Sequence, residues 1–166
     1  MAKAKKPVPD GYHTVTAHLI LDEAAKAIDF YKRAFGAEEV IRMPGPDGKI
    51  AHAEIRVGDS PIMLSDEMPP MPGQPGVYKS PKTAGFVTGA LFLYVADVDA
   101  AYDRALKAGC TSRAAPVDMF WGDRYGTVID PFGHTWALAT HTEDLTPDEI
   151  AQRQREFMAK MQSGAG

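Results

Sequence analysis

The sequence predicts an α+β protein made of two β-α-β-β-β modules and a closing C-terminal helix. Three observations carry this. Hydrophobic periodicity gives strand, helix, strand, strand, strand, and then the same order again. Each helix opens on an aspartate and stops at a glycine: Asp22 and Gly36, then Asp97 and Gly109, with the two aspartates 75 residues apart. Between the modules lies a long aperiodic stretch rich in proline and glycine. Self-similarity at this period marks duplication of a unit that does not bury its sheet alone.

Residues 1–11, MAKAKKPVPDG, hold three lysines and two prolines and read as a loose tail. TVTAHLI alternates as a strand, with Thr14, Thr16, His18 and Ile20 on one face and Val15, Ala17 and Leu19 on the other. Asp22 is the expected N-cap of a helix over 22–35, whose stripe is Ala24, Ile28, Tyr31 and Phe35. AEEVIRM is a strand, and PGPDGK is a turn. IAHAEIRVG alternates again, setting Ala51, Ala53, Ile55 and Val57 against His52, Glu54 and Arg56, and PIMLS follows as a short strand.

Residues 66–86 hold five of the thirteen prolines and no periodicity. A stretch of that length serves as a lid, an interface loop or a linker, and it is taken here as the joint between modules. The second half opens with TGALFLYV, where Ala90, Phe92 and Tyr94 share one face and Leu91, Leu93 and Val95 the other. Asp97 caps a helix over 97–108 with the stripe Val98, Ala101, Tyr102 and Ala105. TSRAAPVDMF, RYGTVID and HTWALAT are three strands, and Asp130-Pro131-Phe132-Gly133 turns into the last. A final helix over 147–161 has Thr146 as N-cap, Pro147 at the first helical position and Glu149 closing a capping box. Its stripe of Ile150, Phe157, Met158 and Met161 packs on the sheet or on a partner. The expected layout is a tail (1–11), a first module (12–65), a joint (66–87), a second module (88–142), and a C-terminal helix and tail (143–166).

Composition narrows the function. The 18.0 kDa chain of 166 residues has a net charge of −4, a pI near 5.7 and a mean hydropathy of −0.24. No basic stripe points to nucleic acid, and no apolar run is long enough for a membrane span. The basic N-terminus has no apolar stretch behind it, so the expected location is the cytoplasm. A single cysteine, Cys110, makes no internal disulfide and has no partner histidine in the sequence, so a structural thiol is expected. There is no phosphate-binding glycine loop and no G-x-S-x-G nucleophile elbow.

The segments DEAAKAIDFYKRAFGAEEV, HAEIRVGDSPIMLSDE and FWGDRYGTVIDPFGHTWALATH, with the paired element order, resemble the vicinal oxygen chelate superfamily. That group includes glyoxalase I, extradiol dioxygenases and bleomycin-resistance proteins, and the resemblance is nearest to its PhnB-like members. It spans about residues 12–142. It implies a glyoxalase-like fold, in which two modules form a cupped mixed sheet around a cavity, often in a homodimer that sometimes exchanges modules. In the metalloenzymes four His, Gln or Glu ligands from four strands hold a divalent ion that polarises substrate oxygens. Counted from the family's landmarks, those positions fall on Thr16, Met63, Ala90 and Ala137. Threonine offers one weak oxygen and alanine nothing, so no cofactor is expected there.

Other groups remain. His18 shares the strand face of Thr16, and His52 and Glu54 share a face of another strand. Together they form a rival three-ligand set for one divalent metal if their strands are neighbours; a solvated polar face is the plainer reading. His18 and Glu54 are also the weak candidates for acid–base catalysis. His134 has the wrong parity for the cup and His141 the right one, while His13 lies in the entry loop. FWGDRYG reads either as a pocket wall of stacking aromatics or as a hairpin corner with Arg124 paired to a carboxylate and Trp121 in a core. Trp121, Asp123, Tyr125 and Thr127 fall on one face, Arg124 on the other.

The leading expectation is a metal-free, homodimeric protein that sequesters a partly aromatic or apolar small molecule. Thr16, His18, Met63, Phe92, Tyr94, Trp121 and Tyr125 would line its cup. The alternative is a metal-dependent isomerase, lyase or dioxygenase using the displaced set of His18, His52 and Glu54.

Overall fold

The computed structural model describes residues 5–69, 73 and 78–163. The first module runs β1 (Ala17–Leu21), α1 (Ala24–Phe35), β2 (Glu38–Pro44), β3 (Ile50–Val57) and β4 (Ser60–Asp66). Its sheet has the order β1-β4-β3-β2, with β1 parallel to β4 and the other pairs antiparallel. The second repeats this with β5 (Ala90–Tyr94), α3 (Val98–Ala108), β6 (Thr111–Asp118), β7 (Asp123–Ile129) and β8 (Thr135–His141), in the order β5-β8-β7-β6. A short α2 (Pro81–Ala84) lies in the segment between them, and α4 (Pro147–Gln162) closes the chain. This is the α+β architecture the repeated element order predicts. Two compact units result: one holds residues 1–88 with 131–134, the other the remainder.

In the first unit one face of the sheet carries the core. Leu19, Leu21, Ala53, Ile55 and Leu64 are buried, as are Ala24, Ile28, Tyr31 and Phe35 of α1. Phe132 joins them, its ring 5.9 Å from Phe30 and 6.1 Å from Tyr31. The alternation of β3 places His52, Glu54 and Arg56 on the opposite, partly open face. In the second unit Trp136, Leu138 and Val128 are buried with Val98, Ala101 and Ala105 of α3. The indole N–H of Trp136 donates to Asp130 at 3.0 Å, which satisfies a polar atom inside the core.

Three expectations need correction. Asp22 does not cap α1: the helix starts at Ala24, and the Ala24 N–H donates to Asp66 Oδ1 at 2.9 Å, a cap supplied from the end of β4. The first strand spans Ala17–Leu21 rather than starting at Thr14, because its pairing with β4 begins only at Ala17 opposite Ile62. The aperiodic joint contains α2, capped by Ser80, whose Oγ accepts from the Thr83 N–H. Residues 70–72 and 74–77 of that joint lie outside the described residues, so its role as a lid has no structural account.

Candidate functional site

The polar face of the first sheet is set by register. His18 sits opposite Met63 on β4, and Met63 sits opposite Glu54 on β3, so the three occupy one row across the sheet. His52 lies two residues from Glu54 and therefore faces the same way. Its Nε2 is 3.0 Å from Glu54 Oε1. The Tyr12 hydroxyl donates to the other carboxylate oxygen. These two hydrogen bonds, Tyr12 first, hold the Glu54 carboxyl below its ordinary range, and the Tyr12 phenol is pushed up in return. His18 Nε2 lies 3.2 Å from Ser65 Oγ, and its ring meets that of His52 edge-on at 6.3 Å. Loss of water around the ring, and then the neighbouring His52, draw its basicity down.

Beside this row is a cleft of about 590 Å³ lined by Pro7, Pro9, Tyr12, Thr16, Glu54 and Met63 among others. Thr16 and Met63 thus open onto one cavity with Glu54, while His18 and His52 are not part of its wall. Tyr12 is the residue that sequence reasoning missed. It sits outside any periodic element, and only the folded chain brings it to Glu54, 42 positions away.

The open face of the second sheet is aromatic. Phe92 lies opposite Ala137, Ala137 opposite Thr127, and Tyr125 opposite Ala139. The small side chains of β8 leave room for their neighbours. Phe92 stacks on Tyr125 with centroids 5.6 Å apart, and Tyr94 leans against Phe92 at 5.0 Å. Trp121 meets Tyr125 edge-on at 5.7 Å. Phe92 and Tyr94 remain 50% and 60% exposed. Beneath them Asp123 is only 3% exposed. It accepts from the Tyr94 hydroxyl and the Trp121 indole N–H, each at 3.0 Å, and its other oxygen lies 2.8 Å from His141 Nδ1. Asp144 engages the far nitrogen of His141 at 3.1 Å. The two carboxylates, Asp123 first, raise the His141 value. Asp123 and His141 thus belong to the site. The alternation of FWGDRYG and the parity of His141 pointed toward them, but their meeting depends on the β7–β8 register.

FWGDRYG divides between its two readings. Arg124 turns to the other face and forks onto Asp99 at 2.7 Å, with Asp118 at 3.2 Å, as the corner reading expects. Trp121 is half-buried against Asp123 rather than in the core. The corner itself is made by Gly122, whose carbonyl accepts from the Thr142 and Glu143 N–H groups at 2.9 and 3.0 Å.

The donor sets bear on a metal ion as follows. Thr16, Met63, Ala90 and Ala137 together present one hydroxyl and one thioether, which do not fit a divalent cation. His18, His52 and Glu54 do share a face, yet Glu54 is engaged by Tyr12 and His52, and His18 turns to Ser65. Among the described residues no three His, Cys, Asp or Glu side chains are grouped so as to hold a metal ion. No helix of the described residues is long and apolar enough to cross a membrane.

Comparison with known proteins agrees with the fold. A family model described as the Glyoxalase/Bleomycin resistance protein/Dioxygenase superfamily matches residues 12–138. An uncharacterized protein of Mycobacterium bovis is 47% identical over 136 residues, covering 82% of this chain and 88% of that one. Protein YjdN of Escherichia coli is 28% identical over 132 residues, covering 68% of this chain and 84% of its own. Among solved structures, TioX from Micromonospora sp. ML1 superposes with a TM-score of 0.61 at 25% identity, covering 76% of this chain and 96% of that one. The PhnB protein from Bacillus cereus shares the fold, with a TM-score of 0.57 at 16% identity over 77% of this chain and 99% of its own.

Proposed function

The chain belongs to the glyoxalase/bleomycin resistance protein/dioxygenase superfamily, and from that premise we propose that it binds a flat, partly aromatic small molecule without a resident metal. The observation that carries this reading is the aromatic face of the second sheet. Phe92, Tyr94, Trp121 and Tyr125 present rigid surfaces to one side, and Asp123 locks two of them by hydrogen bonds from below. Rings fixed in advance lose little entropy when a planar ligand stacks on them. Stacking surface dominates the site, with Asp123 and His141 as its polar pair, which favours sequestering over turnover.

Titration of the full chain with a panel of bicyclic aromatics, followed by tryptophan fluorescence, tests the reading. Saturable quenching is expected, unchanged after dialysis against EDTA. Phe92→Ala or Tyr125→Ala weakens it about tenfold, the order of one lost aromatic contact. A panel without a single binder would sink the proposal. The rival reading, a metal-dependent enzyme, draws on the shared face of His18, His52 and Glu54. Stoichiometric metal by elemental analysis, lost in His18→Ala or His52→Ala, would establish it instead.

A further inference from the structure

We propose that the cleft of the first unit is a receptor for an organic ammonium group, with Glu54 as its counter-ion. The inference stands apart from the aromatic face and holds whether or not that face binds a ligand. It starts from the charge inside the cleft. Pro7, Val8, Pro9 and Met63 give the wall apolar surface, while Glu54 opens into the same space. Among the described residues that line it there is no lysine or arginine, and the one basic side chain is His13. The carboxylate is partly shielded by its surroundings, its side chain 16% exposed.

The carboxylate is also incompletely used. An ionised carboxylate offers about four lone-pair directions. The Tyr12 hydroxyl takes one on Oε2 and His52 Nε2 one on Oε1, at 3.0 Å. Both donors hold the group in place and favour its charged form, and lone-pair directions on each oxygen stay open. Arg56, two residues on along β3, does not line the cleft. A primary or secondary ammonium supplies what is missing: two or three N–H donors and a positive charge. The apolar body attached to it fits against Met63 and the prolines. A divalent metal fits less well, because one carboxylate already engaged by Tyr12 and His52, with only hydroxyls, a thioether and His13 lining the rest of the cleft, leaves it short of ligands.

The test uses benzylammonium and its neutral isostere, benzyl alcohol, each titrated into the full chain and followed by calorimetry and by NMR. Benzylammonium is expected to bind about tenfold more tightly, as a charge-assisted hydrogen bond implies. Its shifts should centre on the Met63 methyl and the Tyr12 ring. Glu54→Gln is expected to bring the two probes within about twofold of each other, whereas Met63→Ala weakens both alike. The wild-type comparison needs no variant to fold. Equal affinity of the two probes, absence of binding by both, shifts confined to the Trp121 indole, or a preference that survives in folded Glu54→Gln would each overturn the proposal.

Discussion

Asp123 shows how one buried side chain organises a surface. Removing it by Asp123→Asn leaves Tyr94, Trp121 and His141 without their shared anion, so the clearest consequence is electrostatic. In the native protein His141 is raised above its ordinary 6.5 by Asp123 and Asp144. A histidine raised on folding stabilises the fold fully below its unfolded value, and the contribution fades as pH rises through the folded value. NMR titration of the His141 ring should therefore give a midpoint above 6.5, moving down in Asp123→Asn. A midpoint at or below the ordinary value would contradict the geometry. Cys110 is the opposite case. Burial, and then Asp130, push its thiol up to about 12, so native protein should resist thiol reagents at neutral pH and react only on unfolding. The inert thiol and the shared face of Trp121, Asp123 and Tyr125 were legible in the sequence, because parity and context are local. Tyr12 on Glu54 and Tyr94 on Asp123 were not, since each joins positions that only strand register or chain reversal brings together. Gly122 belongs at this scale as well. Its φ is +95°, and a Cβ there would collide with the carbonyl oxygen of Glu143. Gly122→Ala should cost more than about 1 kcal/mol, seen as a lowered Tm, with the aromatic wall disturbed alongside.

At the scale of elements, the two modules share a device: the first N–H of each covering helix is bonded by a side chain near the end of the last strand of its own module, in α3 alongside the local cap Asp97. Asp66, at the end of β4, accepts from Ala24 N–H and also from Ile50 N–H at 2.7 Å. Thr140, near the end of β8, accepts from Val98 N–H at 2.8 Å and donates to the Val95 carbonyl at 3.0 Å. The local caps of α3 and α4 are legible in the sequence because Asp97 and Thr146 stand beside their own helices. The cap of α1 is not, and Asp22 stands in its place there, because a cap 42 residues away leaves no local trace. The difference is measurable. Asp66→Ala strands two buried donors and should cost about 1–3 kcal/mol for each. Asp22→Ala should change stability by less than about 1 kcal/mol, since that carboxylate's visible partner is a partly exposed Lys82 at 3.2 Å. Equal effects in chemical denaturation would restore Asp22 as the cap. The capping box of α4 makes a different prediction, because no residue of this helix is buried. It meets its unit through Phe157 on Phe120, at 5.5 Å, and Arg153 on Glu143, at 2.7 Å. Thr146→Ala should therefore speed amide exchange across Pro147–Gln162 and leave the global Tm unchanged.

For the whole molecule the outstanding physical problem is uncovered apolar surface. On α4, Met158 and Met161 are 50% and 65% exposed, although the stripe they belong to has the spacing of a packed helix. The outer strand β2 exposes Val40, Ile41 and Met43, and the outer strand β6 exposes Val117. Free strand edges invite pairing with another chain, and soluble proteins commonly cover them by symmetric assembly. We expect a second copy of this chain to cover the exposed stripe of α4 with its own in a twofold contact. Its area must reach roughly 1,200 Å² in total for a stable pair. Light scattering should give twice the 18.0 kDa chain mass, holding on dilution to low micromolar concentration. The double substitution Met158→Glu and Met161→Glu places two like charges in the stripe without touching any buried position. It should shift the mass toward one chain while circular dichroism stays native. A wild-type mass of 18.0 kDa at every concentration would show that the stripe and the edges stay open to water. A dimer that survives the double glutamate would move the interface off α4 and onto the strand edges.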